Sequence, residues 1–193
     1  MLAAVVGCTS ERGGERAEPE LSWDGLAYPV WSPDAYAGPE VFAGLGEIAA
    51  LGADAVTLIP TWYVDDTSGS LPSRDPEQTP SDLSLETAII EAHRLGMGVV
   101  LKPHVDLHND GDRADIRPTD PDAWFGRYRE LMVDYAVMAE RTGVELMSVG
   151  TELAGTMDQP EQWVETIDAI EASYDGPLTY AANFDGYADV PFW

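Results

Sequence analysis

Short apolar runs alternate with segments of helical periodicity from residue 22 to the end of the chain. Continuous apolar runs are typical of buried parallel strands, and we predict five of them, at Leu26–Trp31, Asp54–Pro60, Gly98–Pro103, Val144–Gly150 and Pro177–Ala182. Apolar residues spaced three to four positions apart predict four helices, at Pro39–Leu51, at Ser84–Leu95, between Asp120 and Gly143, and at Pro160–Tyr174. Strands that alternate with helices predict an α/β fold with a parallel sheet.

The connections between these elements differ greatly in length. Helix-to-strand connections are one or two residues, as at Gly96-Met97, whereas the strand-to-helix connections starting at Thr61 and His104 run for about 20 and about 16 residues. Long loops at the carboxyl ends of strands favour a (β/α)8 TIM barrel, which builds its active site there. A doubly wound sheet also binds ligands at that edge, but no glycine-rich phosphate loop follows the first strand. Because a barrel needs eight βα units and commonly about 250 residues, we predict that this chain is truncated and holds about the first five units.

Charge and composition narrow the range of partners. The chain has 35 Asp+Glu against 10 Lys+Arg, a formal net charge of -25, which argues against nucleic acid and against an anionic membrane surface. A single cysteine excludes an intrachain disulfide framework, and no apolar run approaches the ~20 residues of a transmembrane helix. We expect no cofactor.

The start of the chain is similar to the end of a bacterial lipoprotein signal peptide. An apolar run at residues 2–7 precedes Cys8, the residue that would carry the lipid, and residues 9–21 are polar and rich in Gly and Glu. We therefore divide the chain into a signal remnant (1–8), a flexible linker (9–21) and a partial barrel domain (22–193), and expect an extracytoplasmic, membrane-anchored protein. The alternative is a chance apolar start.

Glu152 is the strongest candidate for a catalytic residue. It follows the fourth predicted strand, and strand alternation places Ser148, Gly150 and Glu152 on one side. Small residues beneath Glu152 would let its carboxyl group stand at the barrel mouth, where a carboxyl with a raised pKa can act as a general acid. The alternatives are a helix N-cap or a solvent-exposed loop glutamate.

Lys102, His104 and Asp106 share one side of the third strand and would face the barrel mouth. Lys102 is the only lysine of the chain, and on an inward face it needs a partner because an unpaired buried charge is costly. We interpret the three as polar substrate contacts. His104, Asp106 and His108 could instead bind a metal, but the one other histidine, His93, is remote on a helix, so we predict no metal site.

Aromatic and amide side chains stand at the ends of other strands. Trp31 ends strand one, Trp62 and Tyr63 end strand two, and Asn183 ends strand five. Aromatic faces at a barrel rim bind the apolar faces of sugar rings, so we predict that Trp62 contacts ligand, with ordinary packing as the alternative.

Four segments, taken in order, resemble glycoside hydrolase family 113, the (β/α)8 β-mannanases of clan A. They are Leu101-Lys102-Pro103-His104-Val105-Asp106, Trp124-Phe125 with Tyr128, Val149-Gly150-Thr151-Glu152-Leu153 and Leu178-Thr179-Tyr180-Ala181-Ala182-Asn183. The resemblance covers roughly residues 24–193. It implies that Glu152 is the acid/base of a retaining hydrolysis of β-1,4-mannosidic bonds, and that Lys102, His104 and Asn183 lie near the sugar cleft.

This chain departs from the pattern of that family at two points. The nucleophile of the clan is a glutamate at the end of strand seven, beyond the five units expected here, so this chain alone would be inactive. Many clan members carry Asn just before the acid/base, where this chain has Thr151. The expected function of the parent is therefore hydrolysis of mannan or manno-oligosaccharides. The alternatives are a barrel glycosidase for another sugar and a non-catalytic surface lipoprotein that binds sugar.

Overall fold

The computed structural model describes residues 23–193. The predictions for Cys8 and for the linker at residues 9–21 therefore lie outside the described residues. The described strands are β1 (Gly25–Pro29), β2 (Ala55–Ile59), β3 (Thr61–Val64), β4 (Gly98–Leu101), β5 (His104–Leu107), β6 (Leu146–Thr151) and β7 (Leu178–Ala181). The described α-helices are α1 (Pro39–Ala50), α2 (Asp82–Arg94), α3 (Pro121–Thr142) and α4 (Pro160–Glu171).

Five strands form one sheet in the order β1-β2-β4-β6-β7, and every neighbouring pair is parallel. Each strand lies beside the next main-sheet strand along the chain, with one helix in each connection, which is the wall of a βα barrel. Side chains from strands β2, β4 and β6 and from all four helices share one hydrophobic core. The predicted order of strands and helices is thus observed.

The second and third predicted strands continue beyond their predicted ends. After interruptions at Pro60 and at Lys102-Pro103, the chain resumes as β3 and β5, which pair with each other in a separate parallel sheet. Proline has no N–H to donate and so interrupts the ladder, but the Pro60 carbonyl still accepts a hydrogen bond from the His104 N–H at 2.9 Å. The two predicted long loops therefore begin four residues later than expected.

Helix α3 shows how the sequence sets an element and its ends. The Asp120 carboxylate accepts a hydrogen bond from the Ala123 N–H at 3.0 Å, and Gly143 ends the helix in the left-handed region at φ 75°. One face of the helix is buried and carries Trp124, Phe125, Tyr128, Leu131, Met132 and Tyr135. Full burial of each large apolar side chain contributes about 1.5–3 kcal/mol, so this face fixes the helix on the sheet.

Within residues 23–193, no helix combines the length and the apolar character needed to cross a membrane.

Candidate active site

A cleft of about 310 Å³ opens at the carboxyl ends of the strands. The loops after β1, β3 and β5 and the end of β6 contribute its walls. The residues that line it are Trp31, Tyr63, Gln78, Asp106, Leu107, His108, Asp110, Gly111, Asp112, Arg113 and Glu152. Two of the predicted site residues, Glu152 and Asp106, are among them.

Glu152 stands directly after β6 with its backbone in the left-handed region, at φ 54°. Its N–H donates to the Ala181 carbonyl at 2.8 Å, which extends the pairing with β7. A residue other than glycine is strained in this backbone conformation, and such strained residues are frequent at functional sites. The Glu152 side chain is 44% exposed, so its carboxylate meets both the cleft and solvent.

The packing beneath Glu152 differs from the prediction. From Ser148 to Thr151 the chain takes three steps along β6 against two along β7, a bulge that breaks the alternation of faces. A Cβ on Gly150 would lie 2.6 Å from the Trp163 ring and 2.8 Å from the Tyr180 ring. Gly150 is therefore small because these rings press on the strand, and the expectation that Gly150 shares the inward side of Glu152 is wrong.

Arg113 joins the two predicted carboxylates that line the cleft. Its guanidinium lies 2.6 Å from Asp106 and 3.2 Å from Glu152. Burial raises the pKa of Asp106, and the Arg113 charge offsets part of that effect. Sequence reasoning missed Arg113 because it lies in the loop after β5, 39 residues from Glu152. Its only signal in the sequence is that it is one of two arginines, with Arg117, in a loop rich in aspartate.

Lys102 and His104 lie near this carboxylate group. Burial lowers the pKa of Lys102, and the charge of Glu152 acts against that shift. Burial, with the positive charges of Arg113 and Lys102, lowers the pKa of His104 to about 2, so His104 is neutral at ordinary pH. Its buried Nε2 has no hydrogen-bond partner among the described residues. A neutral ring with a free nitrogen can still accept or donate one hydrogen bond to a ligand.

His108 lies apart from His104 and is held by two other carboxylates. Its Nδ1 is 2.9 Å from Asp65 and its Nε2 is 3.0 Å from Asp75. Across residues 23–193, no three or more His, Cys, Asp or Glu side chains are grouped so that they could hold a metal ion.

Trp62 corrects the prediction of a ligand contact. Its side chain is 0% exposed, stacks on Tyr135 of α3 at 5.0 Å between ring centroids, and donates to the Tyr135 hydroxyl at 2.9 Å. Successive residues of a strand face opposite sides, so Trp62 packs on the helices while Tyr63 lines the cleft. Trp31 also lines the cleft, and its ring is 60% exposed to solvent.

Asn183 and Thr151 complete the predicted rim. Asn183 lies two residues after β7, and its buried Oδ1 lacks a hydrogen-bond partner within the described part of the chain. The Thr151 hydroxyl donates to the Pro103 carbonyl at 3.1 Å and is buried. Thr151 thus ties β6 to the residue before β5 and contributes no free polar group to the cleft.

Comparisons with known proteins found a family model and several solved structures that match this chain. The family model of Glycoside Hydrolase Family 113 matches residues 29–193. A family 113 β-mannanase from Alicyclobacillus acidocaldarius, solved in complex with ManMIm, is 29% identical with a TM-score of 0.82 over 88% of this chain and 56% of that chain. A second structure of a family 113 β-1,4-mannanase is 25% identical with a TM-score of 0.81, over 89% of this chain and 59% of that one.

The chain thus spans a little more than half the length of these β-mannanases, and its fold is a truncated TIM barrel, as predicted. A family 5 protein from Streptomyces cattleya, in complex with Manβ1-4GlcNAc, is 21% identical with a TM-score of 0.55, over 85% of this chain and 47% of that chain, and shows only that the fold is shared. The search of curated proteins found no match.

Proposed function

The chain belongs to glycoside hydrolase family 113, and on that basis we propose that its parent protein hydrolyses β-1,4-mannosidic bonds in mannan or manno-oligosaccharides with retention of configuration. One observation carries the proposal: Glu152 holds a half-exposed carboxylate in the cleft at the end of β6. The similar solved structures are β-mannanases, which favours a hydrolase over a sugar-binding protein without activity.

Glu152 is the general acid/base of this proposal. Protonated Glu152 gives its proton to the glycosidic oxygen as the bond to the leaving sugar breaks, and a second carboxylate attacks the anomeric carbon to form a glycosyl-enzyme. Ionised Glu152 then takes a proton from the water that releases the sugar. Arg113 lies within ion-pair distance of both carboxylates, 3.2 Å from Glu152 and 2.6 Å from Asp106.

The nucleophile is expected at the end of strand seven, outside the five βα units of this chain. In retaining enzymes the two carboxyl groups stand about 5–5.5 Å apart.

Several residues at the carboxyl ends of the strands are suited to hold the sugar, and of these Trp31 and Asp106 line the cleft. Trp31 offers an exposed ring for the apolar face of a pyranose. The free nitrogen of His104 and the free oxygen of Asn183 supply hydrogen-bonding atoms that no described residue uses. Lys102 and Asp106 add a donor and an acceptor near Glu152.

Replacement of Glu152 tests the assignment in the complete protein. Glu152→Gln keeps size and hydrogen bonding but removes proton transfer, so kcat on manno-oligosaccharides should fall about 10²–10⁴-fold. The rate of the first step should fall less with an aryl mannoside than with a manno-oligosaccharide, because a good leaving group needs little protonation. Added azide should restore turnover by attacking the glycosyl-enzyme without a base.

The matched control is Glu171→Gln, which changes an exposed glutamate at the end of α4 and should leave kcat unchanged. A residue that only binds sugar would raise KM for every substrate alike and give no azide rescue. Near-wild-type hydrolysis of manno-oligosaccharides by Glu152→Gln would contradict the role of Glu152.

We further propose that the parent is an extracytoplasmic bacterial lipoprotein with Cys8 as its lipidated residue. Support comes from the apolar run at residues 2–7 and from the polar linker at residues 9–21. In a bacterial host, a radioactive fatty acid should label the protein, and Cys8→Ser should abolish the label. Label that persists in Cys8→Ser would refute the anchor.

A further inference from the structure

The Tyr63 hydroxyl is a buried polar atom for which the described residues provide no hydrogen-bond partner. The Tyr63 side chain is 5% exposed, and its hydroxyl makes no hydrogen bond to any residue from 23 to 193. Buried polar groups are nearly always paired, because an unpaired one has lost its hydrogen bonds to water and gained nothing. When such an unpaired buried group lies beside a cleft, a ligand bound in that cleft can supply the missing hydrogen-bond partner.

The position of Tyr63 is set by several independent contacts. Its backbone N–H and C=O both bond to Ser73, at 2.9 and 3.0 Å. Its ring stacks on His108 with 4.8 Å between centroids and 8° between planes. His108 is fixed in turn by its contacts with Asp65 and Asp75. The phenol is therefore held in place and cannot turn toward another partner.

Tyr63 also lies beside the residues already placed in the site. In the parallel pairing of β3 with β5, Tyr63 is opposite Asp106, so the two side chains share one face. Both line the cleft together with Glu152 and Trp31. Burial, together with the carboxylates of Asp106 and Asp75, raises the pKa of Tyr63, which keeps its hydroxyl protonated.

We propose that Tyr63 donates a hydrogen bond to one hydroxyl of a bound β-mannoside and so helps to determine which sugar the cleft accepts. This inference rests on the proposed function, because it takes the ligand to be that carbohydrate. A sugar hydroxyl is a suitable partner, since it can accept from the phenol while donating to a neighbouring carboxylate such as Asp106. Tyr63 was not among the site residues that the sequence indicated, because it adjoins Trp62 in an aromatic pair and gives no separate signal.

Tyr63→Phe tests the proposal in the complete protein, since it removes only the oxygen and keeps the ring on His108. A hydrogen bond of ordinary net strength predicts a fall in kcat/KM on manno-oligosaccharides of about 2- to 12-fold. The melting temperature should stay equal or rise, because the substitution removes an unpaired buried group. Loss of function without loss of stability separates a ligand contact from a structural role.

Mono-deoxy manno-oligosaccharides identify the sugar hydroxyl. For wild type, kcat/KM on one of the deoxy ligands should be lower than on the natural ligand by the same factor. On that deoxy ligand, Tyr63→Phe should cause no further fall in kcat/KM. This non-additivity is the coupling that a double-mutant cycle measures. The matched control is Tyr135→Phe, whose hydroxyl accepts from Trp62 and lies outside the cleft lining. That variant should lower the melting temperature and leave selectivity among deoxy ligands as in wild type.

Three outcomes would overturn the inference. In the first, Tyr63→Phe keeps the wild-type kcat/KM on every substrate. In the second, the fall in kcat/KM caused by Tyr63→Phe adds to the fall caused by each deoxy ligand. In the third, Tyr63→Phe lowers the melting temperature as Tyr135→Phe does. The last result would mean that the partner of the hydroxyl is another protein residue. Wild-type protein that neither hydrolyses nor, in a titration, binds any manno-oligosaccharide would refute the proposed function, and the role of Tyr63 with it.

Discussion

The two ends of the barrel wall use left-handed backbone in opposite ways. At the amino ends of the strands, three tight connections each place a glycine in the left-handed region. These glycines are Gly52, Gly96 and Gly143, with φ between 75° and 88°. At the carboxyl ends, the non-glycine residues Asp110 and Glu152 take the same region, at φ 59° and 54°. Glycine adopts this conformation without steric cost, whereas other residues are strained by about 1–2 kcal/mol.

Under the proposed function, this difference distinguishes residues that serve stability from residues that serve activity within one sheet. The amino-end turns need only a backbone that closes, and glycine provides it. At the carboxyl end, the proposed role of Glu152 needs a carboxylate at a fixed place, and this need gives a reason for the strained backbone at that residue. The same end holds buried polar atoms of Tyr63, His104 and Asn183 that have no hydrogen-bond partner within residues 23–193.

Glu152 gives the largest expected effect. In the complete protein, Glu152→Gly and Glu152→Ala should both lower kcat by at least about 10²-fold, because both remove the proposed acid/base. Glu152→Gly should be the more stable of the two by about 1 kcal/mol, because only alanine keeps the left-handed strain. Urea unfolding of the two variants measures the difference. Equal stability would show that the backbone at residue 152 is not strained.

Gly143 supplies the opposite case at the other end of the barrel. Gly143→Ala should lower the free energy of unfolding by about 1–2 kcal/mol and leave kcat on manno-oligosaccharides unchanged. Strain alone would cause the loss, since the nearest atom to an added Cβ is 4.0 Å away. Ala136, on the buried face of the same helix, serves as the reference position: Ala136→Gly should also destabilise, but through lost packing and propensity. A fall in kcat for Gly143→Ala would contradict the division between the ends.

His108 gives the smallest effect, because exposed ion pairs contribute little. Its hydrogen bond to Asp65, with that to Asp75, raises the pKa of His108, and the Tyr63 ring covers one face. A raised folded-state pKa stabilises the protein fully below the unfolded-state pKa near 6.5, and this contribution is lost as pH rises through the folded value. The stability difference between wild type and His108→Gln should therefore be larger at pH 6 than at pH 9 and should shrink in salt. Thermal melts across that range measure it, and a difference independent of pH would contradict the charged bridge.

The sequence predicted those parts of the fold that local patterns determine. Helix α3 was predictable from its periodicity, its Asp120 cap and its Gly143 stop, and the structure has all three. The strands beyond Pro60 and Pro103 were missed because proline is typical of a strand end, while here the pairing resumes on the far side. The break is tertiary in origin, and no local pattern reveals it.

The candidate site was predicted less completely, for a related reason. Glu152 and Asp106 follow strands, so their positions at the cleft could be inferred. Arg113 comes from a loop without periodicity, and only the folded chain brings it to both carboxylates. Trp62 was assigned to the wrong face because two adjacent aromatic residues look alike in sequence, and packing on Tyr135 decides which one is buried.

The cleft is lined by more negatively than positively charged side chains. Four carboxylates, Asp106, Asp110, Asp112 and Glu152, line the cleft together with the Arg113 guanidinium, within a chain of formal net charge -25. An uncharged glycan feels no net force from this field, whereas a glycan bearing uronic acids or sulfate groups is repelled over roughly the 8 Å of a physiological Debye length. The proposed function therefore predicts that the cleft binds a neutral glycan more tightly than a polyanionic glycan of similar shape.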